Sequence, residues 1–140
     1  MLAKTDVRSA VKIIPVHPSD HPLLGLQWKG QWYYDCCLPM GCSSSCKTFE
    51  RLSIAMEWIA RNKLGIPHIL HILDDFLMIG ESTQAYKAKL QRSLLFCGYI
   101  GVLTAPKKTQ GPSPELTLAG TELDCLKFED RLPQEKVDRY

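Results

Sequence analysis

His71-Ile72-Leu73-Asp74-Asp75-Phe76-Leu77-Met78-Ile79-Gly80 sets two adjacent carboxylates inside an otherwise apolar run. Apolar runs of about four to eight residues read as buried strands. Two like charges side by side in such a run repel each other and resist desolvation. A divalent cation relieves both costs, and Mg²⁺ suits the position because it prefers hard oxygen ligands. The simplest geometry is a hairpin, with one strand over 68–73, a tight turn carrying Asp74 and Asp75, and a second strand over 76–80. A surface turn that uses aspartate for its turn propensity is the alternative reading.

Outward from this hairpin the pattern mixes strands and helices. A first strand ends near Asp6. Residues 11–16 are apolar but close on Pro15 and Pro18, which end regular structure. Segments 23–28 and 31–37, rich in aromatic and aliphatic residues, flank Lys29-Gly30 as a hairpin. Ser43, Ser44 and Ser45 offer helix caps. Phe49, Leu52, Met56 and Ile59 then follow at helical spacing until Gly65-Ile66-Pro67 stops the helix. Ser82 or Thr83 caps a second helix with Tyr86, Leu90, Leu94 and Cys97 on its apolar side and Gly98 as C-cap. Segments 116–123 and 126–128 read as short closing strands around Asp124-Cys125. The irregular order of strands and helices predicts an α+β fold rather than a doubly wound one.

Length and composition narrow the function classes. The 140 residues make one domain's worth of chain, able to bury a real core. A net charge of +2 gives no bulk electrostatic case for nucleic acid, so any such binding rests on local groups such as Lys87, Lys89 and Arg92, or Lys107 and Lys108. No apolar run is long enough for a membrane span and no signal peptide opens the chain, which points to an intracellular setting in cytoplasm or nucleus. Six cysteines stand at 36, 37, 42, 46, 97 and 125, but their spacing fits no paired zinc motif, and buried free thiols are the expectation.

Five blocks, in order, carry a family resemblance. They are Lys4-Thr5-Asp6-Val7-Arg8-Ser9-Ala10-Val11 through Pro18, Leu38-Pro39-Met40-Gly41 through Phe49, Ile72-Leu73-Asp74-Asp75, Leu103-Thr104-Ala105-Pro106-Lys107-Lys108, and Leu118-Ala119-Gly120-Thr121-Glu122-Leu123. Together they resemble the palm motifs of a reverse transcriptase over almost the whole chain. The first block and Leu23-Leu24-Gly25-Leu26-Gln27-Trp28 look most like DIRS-type retroelements. The resemblance implies a polymerase palm, an antiparallel sheet with two helices packed on one face. It implies RNA-directed DNA polymerase chemistry with two Mg²⁺ or Mn²⁺ ions, since phosphoryl transfer is stabilised by paired metals. By resemblance Asp6 and Asp74 are the main metal ligands and Asp75 the supporting one.

The same resemblance assigns further roles. Val7, Arg8, Ser9 and Ala10 offer backbone amides to the triphosphate. Val11 lies at the sugar, Met40 and Gly41 shape the nucleotide pocket, and Leu73 completes the substrate-contacting set. Lys107 or Lys108, with Lys107 preferred, is the general acid near the leaving pyrophosphate. Residues 118–123 resemble the primer grip. The implied partners are an RNA or DNA template with its primer and a deoxynucleoside triphosphate, with no membrane. Trp28, Trp32, Tyr33 and Tyr34 are candidates for stacking on nucleic acid, with core packing expected for at least half of them.

Three positions depart from the family pattern. Val11 stands where an aromatic ring normally excludes the ribose 2′-hydroxyl, Ile72 replaces an aromatic before the paired aspartates, and Cys46 replaces a proline. Fingers, thumb and ribonuclease H segments are absent from this stretch, so a longer polyprotein is expected to supply them. The alternative reading is a catalytically inactive retroelement relic that keeps the palm fold and weak nucleic-acid binding. A zinc module built on the cysteines is disfavoured by their spacing.

Overall fold

Antiparallel pairing dominates the chain, a computed structural model of which describes residues 1–81 and 83–139. Ser82, one of the two expected helix caps, lies outside the described residues. The elements run β1 (Leu2–Asp6), β2 (Gly25–Trp28), β3 (Gln31–Tyr34), α1 (Ser43–Asn62), β4 (Ile69–Ile72), β5 (Asp75–Ile79), α2 (Thr83–Tyr99), β6 (Gln110–Ser113), β7 (Glu115–Leu118), β8 (Thr121–Asp124), β9 (Glu129–Arg131) and α3 (Gln134–Val137). The α+β expectation holds. Two compact units divide the chain: Met1–Arg8 with Ser53–Tyr140, and Ser9–Leu52.

The first unit is built on a four-stranded sheet of order β4-β5-β1-β6. Side chains alternate across a strand with period two, so pairing fixes what each face carries. Ala3 faces Met78 across the ladder, Thr5 faces Phe76, and Ile69 faces Met78. All five are buried. On this face Thr5, Ile69 and Phe76 share a small void with Met56 and Ala60 of α1 and Cys97 of α2. Both helices therefore cover the same face of the sheet. Glu57 of α1 links to the His71 ring and to Arg61 at 2.8 Å, and Arg61 in turn donates to the Ile69 carbonyl at 2.6 Å.

The opposite face takes the intervening residues. Leu2 and Leu77 pack there with Leu116 and Leu118 of the β7-β8-β9 sheet, and Leu123 and Cys125 border the cluster. Lys4 Nζ donates to the Thr117 carbonyl. The β7-β8 turn is made by Ala119 (φ 47°) and Gly120 (φ 84°), two successive left-handed residues of the kind that match hairpin twist.

Three expectations need correction. Residues 126–128 form a turn rather than a strand. The buried Asp124 carboxylate organises it, accepting from the Leu126 and Lys127 amides at 2.9 and 3.1 Å. Those amides, with Lys127 itself, hold Asp124 below the usual carboxylate range. Gly98 lies inside α2, and the left-handed cap is Gly101 (φ 77°). Gly101 donates to the Gly98 carbonyl and Val102 to the Cys97 carbonyl, the paired bonds of a Schellman ending. Leu94 is only half-buried, while Ser93 takes the inward position.

The second unit holds two 3-10 turns, Ala10–Ile13 and Pro18–Leu24, and the β2-β3 hairpin around Lys29 (φ 50°) and Gly30 (φ 77°). Pro15 bridges Cys37, Leu38 donates to the Ile14 carbonyl, and Lys12 pairs with Asp35 at 2.7 Å. Every residue of β2 and β3 is exposed. Trp28, Trp32, Tyr33 and Tyr34 are 59%, 75%, 48% and 57% exposed, so none of them supplies the expected core packing. The hairpin expected around Lys29-Gly30 forms, but as a two-stranded ribbon whose residues are exposed on both faces.

Leu77 sits at the centre of the cluster between the two sheets of the first unit, so Leu77→Ala should lower the unfolding free energy by about 2–5 kcal/mol. Urea denaturation followed by circular dichroism reads this directly, and a loss under about 1 kcal/mol would mean that the cluster is not a packed core.

Candidate functional site

Asp6 closes β1 and lies directly across the ladder from Asp75, the first residue of β5. Paired residues on adjacent strands carry their side chains on one face. Parity puts both carboxylates on the face opposite the helices, alongside Lys4 and Leu77. Asp6 is buried, while Asp74 and Asp75 are half-buried. The expected hairpin forms, but its turn is the pair Leu73-Asp74, with Ile72 opposite Asp75. Asp75 is thus a strand residue and only Asp74 a turn residue.

Two hydrogen bonds fix that turn. Val7 N–H donates to the Asp74 carbonyl at 2.9 Å, extending the β1-β5 pairing by one residue. Ser53 Oγ, wholly buried on α1, donates to the Leu73 carbonyl at 2.7 Å. Leu73 itself adopts φ 54°, a left-handed conformation that bulky residues rarely take.

A lysine completes the site. Ala105 N–H donates to the Asp6 carbonyl at 2.9 Å, and Lys108 N–H returns to the Ala105 carbonyl at 3.0 Å. Thr109 Oγ1 meets Thr5 Oγ1 at 3.1 Å. This turn delivers Lys108 Nζ to Asp6 Oδ2 at 2.7 Å. The hydrogen bond and charge of Asp6, then the charges of Asp74 and Asp75, raise Lys108 above the ordinary lysine range. Burial pushes Asp75 above the usual carboxylate range, reinforced by Asp6 and Asp74 and opposed by Lys4 and Lys108.

The residues expected to act here divide as follows. Asp6, Asp74 and Asp75 are brought to one end of the β1-β5 ladder, yet among the described residues no group of three or more His, Cys, Asp or Glu is disposed to hold a metal ion. The donor chemistry still fits a hard cation. The donors are oxygens, one of them already holds an ammonium, and burial, then repulsion from Asp6 and Asp74, disfavours Asp75 as an anion. Lys107 is exposed, and its neighbour Lys108 makes the carboxylate contact instead. The Val7 and Arg8 amides are committed to the Asp74 and Leu103 carbonyls, so this pair is not an open anion nest.

The remaining candidates belong to the second unit. Ser9 is left-handed (φ 61°), Ala10 opens a 3-10 turn, and Val11 is buried. Met40 is 77% exposed, and Gly41 (φ 85°) has open space around the position of a side chain.

Ser53 escaped the sequence reading. A search for apolar residues at helical spacing skips a serine, although Ser53 continues the buried stripe of Phe49, Met56 and Ala60. That interruption by a small polar residue was the available signal.

No family model matches the sequence. The Gag-Pro-Pol polyprotein of squirrel monkey retrovirus is 28% identical over 126 residues, 78% of this chain and 6% of the polyprotein. The foamy viral protease-reverse transcriptase in complex with an RNA/DNA hybrid superposes with a TM-score of 0.86 at 18% identity, covering 99% of this chain and 18% of that one. The same protein in complex with double-stranded DNA gives 0.84 at 18% identity, covering 99% and 27%. The chain therefore has the fold of a segment found in reverse transcriptases, and it spans a small part of the length of each of these relatives.

The charge balance gives opposite signs for two substitutions. Lys108→Met should lower the melting temperature in metal-free buffer, because it strips the cation from a buried carboxylate. Asp75→Asn should raise it at neutral pH. The folded chain holds the Asp75 proton more tightly than the unfolded one, so this carboxyl's contribution falls as pH rises out of the ordinary aspartate range. The gain from Asp75→Asn should accordingly vanish at acid pH, where both states are protonated. Scanning fluorimetry across pH in EDTA checks both signs, and an Asp75→Asn protein that melts lower at neutral pH would contradict the reading.

Proposed function

We propose that this chain is the palm segment of a retroelement reverse transcriptase, with Asp6, Asp74 and Asp75 as its nucleotidyl-transfer centre. The observation that carries the reading is the Asp6–Asp75 register at the open end of the β1-β5 ladder, with Asp74 in the adjoining turn. Asp6 and Asp74 would be the main ligands, and Asp75 the supporting one, for two Mg²⁺ or Mn²⁺ ions. When bound, these supply activation of the primer hydroxyl and neutralisation of the triphosphate.

The chain's own groups divide the remaining work. Asp6, seated in a ladder with little freedom, presents its oxygens from a buried position. Lys108 keeps its proton beside three carboxylates and is the better placed of the two lysines to hold a proton for the leaving pyrophosphate. Ser9, Ala10, Val11, Met40, Gly41 and Leu73 are proposed as the nucleotide-contacting set. The open faces of the β2-β3 ribbon, with Trp32 and Tyr34 on one side and Trp28 and Tyr33 on the other, offer aromatic rings to template or primer bases. The partners in this reading are an RNA or DNA template with its primer and a deoxynucleoside triphosphate. The rest of a longer polyprotein supplies fingers and thumb, in an intracellular setting. Among the described residues no helix is long and apolar enough to cross a membrane. The resemblance of the first motif and of residues 23–28 is the support for a DIRS-type element in this reading.

A specific observation favours a second reading, an inactive relic that keeps the fold and binds nucleic acid weakly. The three carboxylates are not drawn into one metal-holding group, and Val11 offers no aromatic gate.

Millimolar Mn²⁺ separates the two. A working centre binds the ion only when folded, so the melting temperature should rise with metal and the rise should disappear in Asp6→Asn. An unchanged wild-type melting temperature would favour the relic. Sugar selection gives a second test, in the palm grafted between the fingers and thumb of an active relative. Val11 should admit ribonucleotides, and Val11→Phe should restore preference for deoxynucleotides through overpacking worth about 1–3 kcal/mol. Single-nucleotide insertion kinetics decide it; equal discrimination in both grafts would move the gate to another residue.

A further inference from the structure

The hairpin tip is held in a conformation that its own sequence does not favour. Leu73 is left-handed at φ 54° without being glycine, asparagine or aspartate, the residues that tolerate that region. Such a conformation persists only when the surroundings over-determine it. Here the surroundings are two hydrogen bonds from different elements. Val7, the residue that follows β1, holds the Asp74 carbonyl through its N–H, and α1 holds the Leu73 carbonyl through Ser53 Oγ at 2.7 Å. These carbonyls belong to successive peptide planes, so the two bonds together fix the backbone on both sides of the Asp74 Cα. Once both planes are fixed, the direction of the Asp74 side chain is restricted to its rotamers.

The remainder of α1 gives Ser53 a distinct place. Phe49, Met56 and Ala60 on the same stripe contribute apolar bulk, whereas the wholly buried Ser53 contributes a hydroxyl that reaches the turn. A serine costs helix propensity and packing volume at such a position relative to leucine. A hydrogen bond to a carbonyl in a turn bearing a half-buried carboxylate is a use that offsets the loss.

We propose that Ser53 is a positioning residue for the carboxylate centre. Its hydroxyl clamps the Leu73–Asp74 peptide and thereby aims the Asp74 carboxylate toward the metal shared with Asp6. This rests on the metal reading above. Ser53 touches neither metal nor nucleotide in this scheme and acts through the turn alone, as outer-shell partners of metal ligands do.

The test uses the 140-residue chain with Ser53→Ala and Ser53→Thr. Mn²⁺ affinity is measured from the electron paramagnetic resonance signal of the free ion. The Leu73 and Asp74 amide signals are followed by nuclear magnetic resonance in metal-free buffer. The expected result is a Mn²⁺ affinity weakened roughly tenfold or more in Ser53→Ala, in line with the loss of other outer-shell partners. The Leu73 and Asp74 amides should shift or broaden in the same variant. Ser53→Thr, which keeps the hydroxyl, should restore both. A Ser53→Ala protein that melts lower yet keeps wild-type Mn²⁺ affinity and unshifted turn amides would overturn the proposal and leave Ser53 a core residue. A wild-type chain that binds no Mn²⁺ would instead overturn the metal reading, and the positioning role with it.

Discussion

The register of β1 against β5 is the constraint on which the rest of the structure depends. Five consecutive pairs, from Leu2–Ile79 to Asp6–Asp75, fix which residues face the helices and which face the opposite side, where the β7-β8-β9 sheet packs. A slip of one residue would send Asp6 toward Met56 and Cys97 and bring Thr5 to the opposite face. The slip is resisted from both sides. Thr5, Phe76 and Met78 are committed to the helix-covered face, and Leu2 and Leu77 to the cluster with Leu116 and Leu118. The hydrophobic cores on the two faces thus do what no local carboxylate chemistry does: they force three acidic groups to share one end of a ladder.

That crowding has electrostatic consequences. It adds to burial in raising Asp75 above the usual carboxylate range, it makes Lys108 hold its proton more firmly, and Lys108 reaches back from the turn after Pro106 to pair with Asp6. An ammonium and a divalent cation answer the same need at such a place. Lys108 supplies positive charge to this place from within the chain. In the proposed working form, bound metal would take over that task and leave Lys108 its proton for transfer. The Leu73-Asp74 turn is the strained part of this arrangement, and its strain is borne by bonds from Val7 and α1 rather than by its own sequence.

Much of this was legible in the sequence because it rests on periodicity and punctuation. The Asp-Asp hairpin, the end of β1 near Asp6, the turn at Lys29-Gly30 and the helix stopped before Gly65 all follow from local rules. What was not legible was decided by tertiary context. The position of Gly98 suggested a cap, but a full Schellman pair selects Gly101 three residues later. Leu126 and Phe128 looked like strand residues, but Asp124 bends the chain there and leaves Phe128 94% exposed. β6 carries Gly111 and Pro112 and has no strand-like alternation, so only its pairing with β1 defines it. Lys107 and Lys108 are indistinguishable as letters, and the turn seated on the Asp6 carbonyl brings Lys108 to the Asp6 carboxylate. Ser53 was hidden by its own polarity, and the exposure of the β2-β3 aromatics was hidden by their lack of it.

The most direct test of the central claim is the location of bound Mn²⁺ in crystals of this chain, read from its anomalous scattering. The account predicts anomalous density on the face of the β1-β5 ladder opposite the helices, coordinated by Asp6 and Asp74 with Asp75 adjacent, and Lys108 withdrawn from Asp6. Density absent from that face at saturating Mn²⁺, with Lys108 still paired to Asp6, would contradict it.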